Sequence, residues 1–328
     1  MVPTALVTGA SGFIGSRLAQ RLVKEGWGVK VLVRNPSRLP ETLRGVCDVF
    51  VGDLLDGKVI RECVCNVNVI FHCAANVATW DKWESYRNAN VFGVAALLQA
   101  IDDSKPPISR LVHFSTVDVY GYPNAPCVES SPLDGGGFGY GESKLEGERL
   151  LVAHCKLSGI PFTVLRPCNV IGPGSQFIRR LGDVLRSGAM IEIDGGYANA
   201  GLLYVDNLVD YALWAATSEE ASGQCYNVRD DHDISWNIFI RQLREEIGGR
   251  GVLIQLPFPV ADRLASGIEV MYRALMPERE PLLHRLLVRI FGRTCGHSRE
   301  KLSADSGMAD RFDYEDAMRL SVDWYLHQ

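Results

Sequence analysis

Eight residues near the start of the chain, Thr8-Gly9-Ala10-Ser11-Gly12-Phe13-Ile14-Gly15, constrain its fold more than any others. They follow the short apolar run Ala5–Thr8, which reads as a strand. They open a stretch in which Ile14, Leu18 and Leu22 recur at i, i+4 and i+8, one face of a helix. A strand joined to a helix by so tight a turn needs glycine, both for the turn and for close helix–strand packing. The helix N-terminus then presents backbone N–H groups and partial positive charge, which suits a pyrophosphate. Gly9, Ser11, Gly12, Phe13, Ile14 and Gly15 are therefore read as a dinucleotide-binding turn.

The rhythm that begins there continues. Val29–Val33, Val46–Val51 and Val67–Cys73 read as strands and Val91–Ile101 as a helix. Arg110–Ser115 reads as a strand, Lys144–Cys155 as a helix and Phe162–Arg166 as a strand. Such alternation predicts an α/β chain, a Rossmann-type doubly wound parallel sheet with a smaller, mostly helical C-terminal substrate-binding part. After Pro167 the pattern is broken by Gly172, Pro173, Gly174, Gly188, Gly195 and Gly196. A helix at Asn207–Ala216 and a strand at Gln224–Val228 are expected to return to the first sheet, and residues from about 230 onward read as mostly helical. The expected division is a cofactor-binding domain over residues 1–170 and a substrate-binding part over 171–328, with segments near 204–228 returning to the first.

Composition removes other classes. Of 328 residues, 47% are hydrophobic and 22% charged, so the chain can bury a core. A formal charge of −5 disfavours general nucleic-acid binding. No run approaches 18 apolar residues, so no transmembrane span is expected, and the N-terminus lacks the basic segment of a signal peptide. The nine cysteines are scattered without a C-x-x-C pair. They read as reduced thiols rather than metal ligands, which suits the cytoplasm.

The spacing T-G-x-x-G-x-x-G resembles the extended branch of the short-chain dehydrogenase/reductase family, the NAD-dependent epimerase/dehydratase superfamily. Three further segments carry the resemblance. Gly52-Asp53-Leu54 is similar to the turn that sets an acid near the adenine, and Phe71-His72-Cys73-Ala74-Ala75 to the segment beside the cofactor ribose. Arg166-Pro167-Cys168-Asn169-Val170 is similar to the loop passing the nicotinamide. Asp53, Leu54, Ala74, Ala75, Pro167, Asn169 and Val170 thereby join the expected cofactor contacts. The end of the second strand, Val33-Arg34-Asn35-Pro36-Ser37-Arg38, has no acid to accept a ribose 2′-hydroxyl. Arg34 offers a fork-shaped, charge-assisted contact to a 2′-phosphate, with Arg38 as a second ligand, so NADP(H) is expected rather than NAD(H).

The same resemblance supplies a catalytic set. Tyr140 and Lys144 stand at i and i+4, on one face of a helix. Upstream, Phe114-Ser115-Thr116-Val117-Asp118-Val119-Tyr120-Gly121 resembles the segment whose hydroxyl stands four residues before the tyrosine of a V-Y-G turn, which makes it Thr116. Tyr140 is expected as the general acid/base, with its pKa lowered from about 10 by Lys144 and the oxidised nicotinamide. Lys144 would also hold the ribose, Thr116 would orient the substrate oxygen, and Asn90 would support the network. His72 and His113 read as packed core residues, and Glu142 as solvent-facing. Asp118 is half of the acidic pair that follows the threonine in sugar-nucleotide dehydratases; Val117 fills the other place and argues against elimination.

For substrate, Ala200-Gly201-Leu202-Leu203-Tyr204-Val205-Asp206-Asn207 aligns with a family segment whose arginine binds a nucleotide-sugar diphosphate. Here that residue is Ala200. Arg179, Arg180 and Arg186 read as a solvated helix face. The pattern, with Trp80 and Trp83, is similar to the 3β-hydroxysteroid dehydrogenase and dihydroflavonol reductase-like branch, which implies alcohol–ketone interconversion on a hydrophobic or acyl substrate. The alternative is a nucleotide-sugar epimerase that recycles its NAD(P). Pro257–Arg293 mixes apolar residues with arginines and leaves four roles open: a packed cap, a substrate lid, peripheral membrane contact or a homodimer face.

Overall fold

The structure, a computed structural model, describes residues 2–328. Seven strands form one parallel sheet: β1 (Thr4–Thr8), β2 (Gly28–Val33), β3 (Asp48–Val51), β4 (Val69–His72), β5 (Arg110–Phe114), β6 (Phe162–Pro167) and, after three strands of smaller sheets, a seventh at Gln224–Val228. The smaller sheets use β7 (Asn169–Ile171) with β9 (Leu202–Tyr204), and β8 (Ala189–Ile193) with β11 (Val252–Leu256). The strand at Gln224–Val228 is therefore β10. The large sheet runs β10-β6-β5-β4-β1-β2-β3, so chain order reverses between β1 and β4. In doubly wound sheets that reversal opens a crevice at the carboxyl ends of the strands.

The period-2 side-chain pattern explains why both faces are covered. In β1, Ala5 and Val7 join one core while Leu6 joins the other; in β4, Val69 and Phe71 oppose Ile70. The first face is closed by α1 (Phe13–Lys24) and by a later helix over Val205–Thr217. The second is closed by α2 (Gly57–Val64) and, after the one-turn α3 (Trp83–Arg87), by α4 (Gly93–Ser104) and α5 (Gly139–Ser158). A wide π-helical turn at Asn88–Phe92 precedes α4, so the helix expected from Val91 starts in a different geometry.

A third core lies outside the large sheet. It is built from α6 (Gln176–Ser187), α8 (Trp236–Glu246) and the closing α12 (Tyr314–Leu326), with Trp236 and Phe239 fully buried; the helix at Val205–Thr217 is α7. Pro257–Arg293 folds as α9 (Phe258–Leu275) and α10 (Arg285–Gly292), and α11 (Glu300–Ser306) packs beneath β10. Phe258, Ala261 and Ala265 are the buried residues of α9, while Leu264, Met271 and Leu275 are exposed. No described helix is long and apolar enough to cross a membrane.

Candidate active site

All the strands of the large sheet are parallel, so the segments that leave their C-terminal ends meet along one edge. That edge collects the glycine turn after β1, Arg34 after β2, Asp53 and Leu54 after β3, Ala74 and Ala75 after β4, Thr116 after β5, and Asn169 and Val170 after β6.

The glycine turn is packed to its limit. Gly9 has φ +73°, and a Cβ there would lie 2.8 Å from the backbone of Ala74. A Cβ on Gly15 would come within 2.4 Å of the Gly9 carbonyl oxygen. Gly12, the residue before α1, receives no side-chain cap, and its own N–H donates to Gly9 O at 2.9 Å. The turn therefore leaves α1's first N–H groups bare beside a cradle that any side chain would fill. That fits a dinucleotide pyrophosphate. Phe13 and Ile14 place their side chains against the outer core, so only their backbone faces the cradle.

Around the rim, Arg34 and Arg38 are exposed and make no side-chain hydrogen bond or ion pair among the described residues. Asp53 is also exposed and accepts from Leu55 N at 3.0 Å, which fixes the turn after β3. Asn169 donates through Nδ2 to Ala200 O at 2.6 Å, tying the start of β7 to the segment before β9.

The Thr116, Tyr140 and Lys144 positions converge where β5 ends and α5 begins. Thr116 is buried; its Oγ1 accepts from Asp118 N at 3.2 Å, which leaves the hydroxyl proton free to be donated elsewhere. Lys144 reaches inward from the second turn of α5 and donates to Phe114 O at 2.6 Å. Burial lowers its amine to about 8, with Glu148 and Cys73 acting in the opposite direction. Tyr140 departs from expectation. Burial, with Asp118 nearby, pushes its phenol above the ordinary value, and the Thr116 hydroxyl opposes this only in part. The protein alone therefore keeps Tyr140 protonated, because desolvation of the phenolate outweighs the local charges.

Asn90 stitches the site from behind. Its Oδ1 accepts from Asn76 N at 2.7 Å, and its Nδ2 donates to Asn76 O and to Ser143 Oγ at 2.9 Å. His72 and His113 stack at 5.4 Å within the sheet, and Thr8 Oγ1 lies 2.8 Å from His72 Nδ1. Burial lowers His72 to about 3, so the ring is neutral. Glu142, expected in solvent, accepts from Gly137 N at 3.0 Å and holds the glycine-rich approach to α5.

Sequence reasoning missed the polar floor under these residues. Arg166 donates to both carboxylate oxygens of Glu148, and through Nη1 to Tyr120 OH at 2.7 Å; Ser115 Oγ donates to Glu148 Oε2. Tyr120 OH in turn donates to Asn227 Oδ1 at 2.7 Å. The available signal was Glu148 four residues after Lys144, on the same face of α5.

A cavity of about 330 Å³ lies on the cap side, lined by Trp80, Tyr86, Phe138, Arg273, His284 and their neighbours. Thr116, Tyr140 and Lys144 are not in its wall; Gly139, which is, immediately precedes Tyr140.

Comparison with known proteins finds relatives over most of the chain. The family model described as NAD dependent epimerase/dehydratase matches residues 5–228. A 4-hydroxy-2-methyl-3-oxo-4-farnesyl-3,4-dihydroquinoline-1-oxide ketoreductase of Stigmatella aurantiaca is 29% identical over 320 residues, covering 95% of each chain. A 2-alkyl-3-oxoalkanoate reductase of Stenotrophomonas maltophilia is 28% identical, covering 96% of this chain and 97% of its own. Among solved structures, a UDP-glucose 4-epimerase of Thermotoga maritima with UDP-glucose shares the fold. Its TM-score is 0.78 at 19% identity, and the match covers 99% of both chains.

Proposed function

Because the chain belongs to the NAD dependent epimerase/dehydratase family, within the extended short-chain dehydrogenase/reductases, we propose that this enzyme interconverts a secondary alcohol and a ketone on a hydrophobic or acyl substrate, with NADP(H) as cofactor. The observation that carries the reading is the convergence of Thr116, Tyr140 and Lys144 at the carboxyl edge of the sheet, beside the glycine cradle. The resemblance to two ketoreductases over nearly the whole chain supports it.

When bound, the nicotinamide supplies or accepts the hydride. The chain's residues manage the oxygen. Thr116 donates its free hydroxyl proton to the substrate oxygen and orients it. Tyr140, kept protonated by burial, delivers the proton to that oxygen in the direction of ketone reduction. Lys144 spends one N–H on Phe114 O and has two left for the ribose hydroxyls. The glycine turn would hold the pyrophosphate, with Asp53, Leu54, Ala74, Ala75, Pro167, Asn169 and Val170 along the crevice. Arg34, exposed and without a side-chain partner among the described residues, would take the 2′-phosphate. A nucleotide-sugar substrate is disfavoured. Ala200 is fully buried where the family's diphosphate-binding arginine is expected, and Asn207 is committed to Asp230 and Phe312.

Tyr140→Phe should lower NADPH-dependent ketone reduction by about 10²- to 10⁴-fold while NADP⁺ binding persists; full turnover in this variant would remove the assignment. Arg34→Asp should cut the preference for NADP⁺ over NAD⁺ by about 10- to 100-fold, the worth of a charge-assisted contact. An unchanged ratio would place the 2′-phosphate elsewhere.

A further inference from the structure

The cap-side cavity has a distinctive charge inventory. Its acids are all engaged. Asp81 accepts from Asn76 Nδ2 and Lys82 N at 2.7 Å, and Glu269 accepts from Arg285 N at 2.7 Å. Just outside the wall, Glu280 accepts from the Thr79 hydroxyl, pairs with Arg180 at 3.1 Å and lies 3.3 Å from His284. Of the cations in the wall, Arg285 lies 3.5 Å from Asp262. Arg273 alone has no carboxylate within ion-pair distance among the described residues.

Instead, the Arg273 guanidinium lies 4.2 Å from the centre of the Trp80 ring, and that indole is fixed by Nε1 donation to Pro277 O at 3.0 Å. A guanidinium seated on an aromatic face keeps its N–H edge free to receive a planar anion. Aromatic rings form part of the remaining wall: Tyr86 packs against Gly139 and donates its OH to Ala78 O at 2.7 Å, and Phe138 stands two residues before Tyr140.

We propose that this cavity is the subsite for the far end of the substrate, and that Arg273 binds a single carboxylate carried on an apolar chain or ring whose ketone lies at Tyr140. The reading rests on the proposed ketoreductase function and names its substrate class as oxo-carboxylates. One guanidinium free of carboxylates amid engaged acids suits a monoanion; a diphosphate would meet Asp81 and Glu269 with Arg285 already paired to Asp262.

The test has two arms, each run on the full chain with wild type, Arg273→Leu and Arg273→Lys. In the binding arm, dodecanoate and methyl dodecanoate are titrated with NADP⁺ present and the melting temperature is read. Dodecanoate should raise it in wild type, far less in Arg273→Leu and to an intermediate extent in Arg273→Lys, while the ester should act alike on all three. In the turnover arm, 11-oxododecanoate and its methyl ester, in which an apolar chain separates the ketone from the carboxyl end, are offered with NADPH. Arg273→Leu should raise KM for the acid about 10- to 100-fold and leave the ester's kcat and KM within about twofold. Equal effects on acid and ester, or none in the binding arm, would overturn the role of Arg273. Acid-selective binding without reduction of either ketone would overturn the ketoreductase reading and keep the subsite.

Discussion

Two sets of ion pairs hold the two sides of this site, and they are built in opposite ways. Beneath the Thr116–Tyr140–Lys144 group, Arg166 and Glu148 are 4% and 3% exposed, bidentate, and tied to Ser115 and Tyr120. Across the cap, Lys82–Glu278 is 64% and 75% exposed, and Arg180–Glu280 is 62% and 30% exposed. Charges in water attract weakly and are screened, whereas a buried pair that loses one member leaves an uncompensated charge. The same chemistry therefore makes a buried floor under the Thr116–Tyr140–Lys144 group and an exposed clasp on the cap side. The clasp joins the loop after β4, through Lys82, and α6, through Arg180, to the turn between α9 and α10.

The sharpest way to break this contrast is Glu148→Gln, which strands Arg166. It should cost about 3–5 kcal/mol in chemical unfolding; a loss below about 1 kcal/mol would put floor and clasp in one class. Asp118, at the edge of the floor, comes next. Burial lifts its carboxyl to about 6, with Tyr122 opposing. The native state thus holds this proton more tightly than the unfolded chain. Its stabilisation is complete below pH about 4 and is lost as pH rises through about 6. Asp118→Asn should flatten that part of the melting-temperature profile between pH 4 and 7, an effect of about 2 kcal/mol. On the clasp, His284, with Thr79 and Arg180, holds the Glu280 carboxyl down to about 2 against its partial burial. Glu280→Gln should cost about 1 kcal/mol and act mainly through KM. Lys82→Ala, at the solvent-facing end, should leave the unfolding midpoint where it was.

What could be read from the sequence divides along similar lines. The strands of the large sheet were legible because β1, β2, β4 and β6 are short apolar runs covered on both faces, and the glycine turn announced where the crevice would open. Thr116, Tyr140 and Lys144 were proposed from spacing and resemblance. The Arg166–Glu148 floor was not. A lysine and a glutamate four apart on a helix look like an ordinary solvated pair, and only the fold reveals that both are buried and that the acid's partner comes from β6. β8 and β11 were likewise invisible, since their pairing joins residues about sixty apart and Val252 and Ile254 remain exposed. The raised phenol of Tyr140 was hidden for the same reason: desolvation belongs to the surroundings, not to the residue.

The large sheet has one further consequence, for the order in which the protein is made. Its last strand, β10, pairs along β6 from Gln224↔Thr163 to Val228↔Pro167, so about sixty residues must be synthesised before Phe162–Pro167 finds its outer neighbour. Until then the nascent chain carries an open, largely apolar sheet edge, the kind of surface that recruits other strands. A chain stopped before Gln224 would contain every residue assigned here to cofactor and catalysis, yet would be exposed to aggregation along that edge. Completion of the catalytic half, in the cell, waits on the arrival of the middle of the chain.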